Sequence, residues 1–185
     1  MASPATRNIL RVPGKIVKDP TDLSAADPYG GTVLGDVHQI TVRLKSQSYV
    51  LTAEEWGGAP WEVIHAGYPL FLAATLRGID NDAMAAIFPD TVTGDPSGET
   101  NVRFRVDNGR AGTLLSTKSM KLLFVPNASL RHRAIILRDA VPVAAEDASW
   151  GLNASEEQVT NVVWYAIPDK TNRVAEMAFI KDLAL

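Results

Sequence analysis

Residues 29–67, YGGTVLGDVHQITVRLKSQSYVLTAEEWGGAPWEVIHAG, decide how the rest of the chain is read. The glycine pair Gly30 and Gly31 marks a tight turn or bulge, because glycine reaches left-handed backbone angles without a side-chain clash. Val37, Gln39, Thr41 and Arg43 then alternate with His38, Ile40, Val42 and Leu44, the period of a strand with one face inward. A second short strand follows, then an exposed tip around EEWGGAP and a returning strand, so a long extended loop is expected over residues 45–61. The glycines sit in turns and the polar residues lack nucleophile or metal-ligand spacing. The stretch is therefore a shape element.

Outward from it, the same signals repeat. Asn8 to Val17 carries two apolar runs broken by Pro13 and Gly14, which suits a bent strand. The coil KDPTDLSAADP favours turns at its two Asp-Pro steps, and residues 1–28 as a whole are expected to be an N-terminal arm that orders on assembly. Tyr68 to Arg77 is strand-like. Asn81 opens NDAMAAIF, a helix of about two turns over 81–88 that ends at Pro89, with Met84, Ile87 and Phe88 on its buried side. Val102, Phe104 and Val106 alternate with charged residues as a half-buried strand. Lys121 to Val125 and Asn161 to Ile167 are apolar on both faces, as expected of strands packed on two sides or facing another subunit. Leu130 to Leu137 and Arg173 to Ile180 supply further strands. The pattern gives about nine or ten strands and one helix without β-α alternation, hence a single mainly β domain over 1–185, an antiparallel β-sandwich or barrel.

At 185 residues and 46% hydrophobic composition the chain has enough apolar surface for one core. Its formal charge of −3 and pI of about 5.6 give no basic footprint for tight nucleic-acid binding. The chain has no cysteine, which removes thiol chemistry and cysteine-held zinc. No run has the length of a signal core or a membrane span, so a protein made in the cytoplasm with no membrane partner is expected.

No constellation points to catalysis, a metal or a cofactor. His38, His65 and His132 stand apart from other ligand types at recognised spacings. Glu54 and Glu55 are neighbours on extended chain and point to opposite faces, so they are poorly placed for paired acid/base work. Arg131, His132, Arg133 and Arg138 form the most basic local run, and Arg103 with Arg105 a second. Both suit solvated faces or carboxylate partners across an interface. Trp56 and Trp61 flank GGAP, and two large aromatics on a glycine-rich tip are costly to leave in water, so docking on another protein is expected there. Tyr49, Glu54, Glu55, Trp56, Gly57, Gly58 and Trp61 are the candidate subunit-interface residues. An enzyme is not expected.

The runs KDPTDLSAADPYGGTVLGDVHQITVRL (18–44), VLTAEEWGGAPWEVIHAG (50–67) and YPLFLAATLRGIDNDAMAAIF (68–88), continued by HRAIILRDAVPVAAED and NVVWYAIPDKTNRVAEMAFI, resemble tail tube proteins of tailed bacteriophages. The resemblance implies a β-sandwich or barrel protomer that assembles into hexameric rings, stacked into a tube through which DNA leaves without sequence-specific binding. It also implies a virion-tail location and tail partners such as the tape measure and terminator proteins. The tip at 45–61 would then reach a neighbouring subunit, and Arg103, Arg105, Arg131 and Arg133 would carry a lumen or inter-subunit charge role. The same likeness covers neck, tail-terminator and distal tail ring proteins, and a monomeric capsid-decoration or host-binding module is the alternative of a different class.

Overall fold

The computed structural model describes residues 13–52, 58–78, 81–88, 91–94, 103–106, 114–127, 132–144 and 159–185. The elements run β1 (Gly14–Lys18), β2 (Thr32–Leu44), β3 (Gln47–Thr52), β4 (Pro60–Gly67), β5 (Leu70–Arg77), α1 (Asn81–Ile87), β6 (Thr91–Gly94), β7 (Arg103–Val106), β8 (Met120–Pro126), β9 (Ala134–Ala144), β10 (Val159–Ile167) and β11 (Ala175–Ala178). Strands β10-β5-β2-β1-β8-β9 follow one another antiparallel, and β9 pairs back onto β10, so six strands close a barrel. Closure removes the exposed edges that an open sheet would present. β11 adds to β9 beside the end of β10.

Strand alternation fills the barrel. Leu70, Leu72, Ala74 and Leu76 of β5 point inward, and Ile16, Leu122, Phe124 and Trp164 meet them from β1, β8 and β10. Each large side chain buried this way contributes about 1.5–3 kcal/mol. Ala83 and Ile87 of α1 join the same core, and Met84 is also buried, which matches the helix face expected from the sequence. The Phe88 amide donates to the Met84 carbonyl and extends the last turn of the helix.

A second apolar cluster lies outside the barrel wall. Val17, Leu123, Val125, Ala134 and Ile136 project outward from β1, β8 and β9 and are covered by Leu23, Tyr29, Ala178, Ile180 and Leu183. The two-faced run Lys121 to Val125 is thus packed on both sides within one chain, not at a subunit interface. The covering coil is fixed by Asp19, whose amide donates to the Lys121 carbonyl while its carboxylate accepts from the Lys121 amide. Lys15 and Asp27 form an ion pair at the far side of that coil.

Two expectations change. Residues 14–18, inside the arm placed over 1–28 and at the end of the bent strand read over 8–17, form a barrel strand between β2 and β8, because Ile16 packs into the barrel core and Val17 into the outer cluster. The second short strand and the returning strand expected around the tip pair as a β-hairpin that extends into the loop expected over 45–61: β3 pairs with β4 from Gln47↔Gly67 to Thr52↔Pro60, which satisfies backbone groups that a loop would leave to water. The glycine turn holds. Gly30 has φ +69, and the β1–β2 register shifts opposite Gly35.

Candidate functional site

The hairpin grows directly out of the barrel. β2 runs into β3 and β4 into β5, so the four strands are one long ribbon, joined where the Lys45 amide donates to the Pro69 carbonyl at 3.1 Å. Pro69 has no amide to give, and Gly67 sits at φ +116, so the regular ladder breaks here. Beyond the break the ribbon leaves the barrel and every described side chain of β3 is exposed.

The exposed side chains are apolar on both faces. Tyr49 lies opposite Ile64, and Val50 opposite Val63. Alternation puts Tyr49, Leu51 and Ile64 on one side and Val50 with Val63 on the other. Their exposures are 67% for Tyr49, 53% for Val50, 57% for Val63 and 47% for Ile64. The His65 ring sits 4.2 Å from that of Tyr68 at the base. A two-stranded ribbon of this kind is marginal alone in water, and apolar patches of this sort mark contact surfaces.

The outer faces of β2, β5 and β10 form a second surface in register. Arg43, Phe71 and Tyr165 make one row, Thr41, Ala73 and Val163 the next, and Gln39, Thr75 and Asn161 a third. Phe71 and Tyr165 meet edge to face at 4.3 Å, and the Thr75 hydroxyl donates to Asn161 Oδ1 at 2.7 Å. The small middle row leaves a shallow groove of about 170 Å³. Asn161 to Ile167, apolar by composition, thus has one face in the barrel and the other at this surface.

Of the residues singled out in the sequence, Tyr49 is on the hairpin, and Gly58 lies just before β4 at φ +78 with open space around it. Glu54, Glu55, Trp56, Gly57 and Arg131 lie outside the described residues. Trp61 is in the β4 backbone, and Arg103 and Arg105 are in β7 opposite Gly94 and Val92; their side chains are also outside the described set. Arg133 is exposed just before β9. Arg138, grouped with it as a basic run, is buried and paired to Glu176, so the run does not form one surface patch. The sequence reading did not single out Val50, Leu51, Val63 and Ile64, which are exposed on the hairpin. Their signal was adjacent apolar residues in short strands that no other element was available to cover.

Among the described residues no group of three His, Asp or Glu side chains is placed to hold a metal ion, and no helix is long and apolar enough to cross a membrane. The most perturbed carboxyl is in a turn. Asp169 Oδ1 accepts from the Thr171 hydroxyl at 2.6 Å, the Thr171 amide at 2.7 Å and the Arg173 amide at 2.9 Å, which hold its pKa down to about 2. This turn joins β10 to β11.

No family model and no curated protein sequence matches the chain. Among solved structures it is similar to a chain of the sheath-tube complex of an extracellular contractile injection system, PVC, in its extended state. That match has 6% identity, a TM-score of 0.50, and covers 97% of this chain and 99% of the other. A chain of the native gene transfer agent virion matches at 10% identity and a TM-score of 0.39, over 89% and 95% of the two chains. At these identities the likeness to the sheath-tube chain is one of fold.

Proposed function

We propose that this chain is a structural subunit of a phage tail-like particle, the tube-forming protein, which closes into hexameric rings that stack into a hollow conduit for DNA. It works by self-association and without catalysis. The observation that carries this reading is the projecting hairpin, apolar on both faces and attached to a closed barrel that leaves it uncovered. A protomer with such an arm gains most by burying it on another copy, and a contact between unlike surfaces repeats around a ring until it closes. The end-to-end fold likeness to a sheath-tube chain supports the same reading. DNA would pass without sequence-specific contacts, and tape measure and terminator proteins would be the neighbours along the tail.

Sedimentation and negative-stain microscopy of the purified protein over rising concentration test it. Rings of six and stacked tubes are the expected species. A strictly monomeric protein at every concentration would remove the reading.

A further inference from the structure

β11 is the terminal strand of the barrel sheet. It pairs with β9 through Ala175↔Leu137 to Ala178↔Ala134 and has no partner on its other edge among the described residues. Its side chains divide by alternation. Glu176 and Ala178 share the outer face of the sheet with their partners Ile136 and Ala134, whereas Met177 lies on the face of its partner Ile135 and stays 41% exposed beyond the end of β10; the following Phe179 is 37% exposed. An unpaired edge beside exposed apolar side chains is what strand addition needs.

The topology says which strand fits. β10 fills the space between β5 and β9 and stops at Ile167, opposite Asp139; beyond it β11 occupies the same edge of β9. On the other side β5 is continued outward by β4, whose second edge, unpaired among the described residues, continues the edge that β5 offers to β10. The open edges of β4 and β11 therefore follow from the two sides of one terminated strand. β4 runs in the direction of β5, and β11 in the direction of β10, so their pairing is antiparallel like every other pairing of the sheet. Within the chain no pairing joins them, and the ribbon breaks at Gly67 to Pro69.

We propose that β11 of one copy accepts the edge of β4 from a neighbouring copy, with Val63 packing against Met177. The proposal rests on the self-assembly reading above and names the acceptor of the arm. A second copy is the occupant because each chain carries both halves, and donor and acceptor on different elements give a head-to-tail contact that propagates. The exposed charges are opposite in sign: Glu62 lies on β4, and Lys181 follows β11.

The absence of native cysteine makes the test direct. Val63→Cys and Met177→Cys copies are purified separately, mixed and oxidised, with Lys118→Cys replacing Met177→Cys as the control, and wild-type assembly is followed in parallel by sedimentation. A disulfide-linked heterodimer as the main crosslinked species, at least tenfold above the control, is expected. Wild-type assembly without that heterodimer would overturn the acceptor assignment and leave self-assembly standing. A Val63→Cys/Met177→Cys double variant that oxidises only within its own chain would overturn it too, since the arm would then close on its own barrel. A wild-type protein that stays monomeric would instead overturn the self-assembly reading and this proposal with it.

Discussion

Arg138 Nη2 donates to Glu176 Oε2 at 2.7 Å, and this pair fastens β11 to the barrel wall. The Arg138 side chain is 3% exposed and that of Glu176 38%, so the cation is buried while its partner reaches water. The Arg138 amide also donates to the Val174 carbonyl at 3.1 Å. The β8–β9 register shifts across this point, from Leu122↔Leu137 to Met120↔Ala140, so Leu137 and Ala140 both reach the barrel interior and Arg138 is turned outward.

Removing the carboxylate strands a buried cation, which costs more than the pair contributes. Glu176→Ala is expected to lower stability by about 2 kcal/mol, below the full cost of a broken buried pair because Glu176 is partly solvated. Arg138→Met/Glu176→Met is expected to recover most of that loss. Urea unfolding of the two variants is the measurement, and equal destabilisation by both would contradict this account.

The hairpin side chains touch little in the protomer. Val63→Lys is therefore expected to change unfolding stability by less than about 0.5 kcal/mol while abolishing higher assembly. Thermal unfolding and sedimentation on the same sample separate the two effects. A large loss of stability would show that the hairpin is part of the protomer core.

Gly14 lies in β1 opposite Pro126 of the neighbouring strand β8. A Cβ there would overlap the Val125 carbonyl oxygen and lie 2.7 Å from Cε2 of Phe124. Gly14→Ala is expected to cost about 1–3 kcal/mol by overpacking, since both obstacles belong to a buried strand. Denaturant midpoints for Gly14→Ala and Gly14→Ser should fall in that order.

Trp164 is fully buried in the barrel, and its Nε1 has no hydrogen-bond partner among the described residues. Trp164→Ala is expected to cost about 3–5 kcal/mol through the cavity it opens. Trp164→Phe removes less volume and an unsatisfied donor, so its cost is expected to be well under half of that. Denaturant unfolding orders the two.

Asp169 carries a pH signature. Its folded pKa of about 2 lies below the ordinary 3.8, so its contribution is fully present above the ordinary value and is lost as pH falls toward 2. A carboxylate titration by NMR should place its midpoint near 2. A midpoint at the ordinary value would mean that the Thr171 and Arg173 donors do not hold the turn in solution.

The sequence by itself determined the class of fold. Period-two alternation in β2 and in the RFRV strand, glycine and proline at the turns and a short apolar helix after Gly78 leave little but an antiparallel β domain, because each strand's inward face is written in its own residues. It also marked the glycine-rich tip between Trp56 and Trp61, although the exposure of Val50, Leu51, Val63 and Ile64 beside it is read only from the structure.

Only the tertiary structure decided what covers what. Lys121 to Val125 and Asn161 to Ile167 look alike in composition, yet the first is covered by residues 23–29 and 178–183, while the second keeps Tyr165 at the surface. Arg138 reads as part of a basic run and is instead a buried anchor, because its partner Glu176 lies 38 positions away. The same distance in sequence hid the free edge of β11. A strand's own residues specify its faces, but whether an edge is paired depends on which strand arrives beside it, and that is fixed by closure of the barrel.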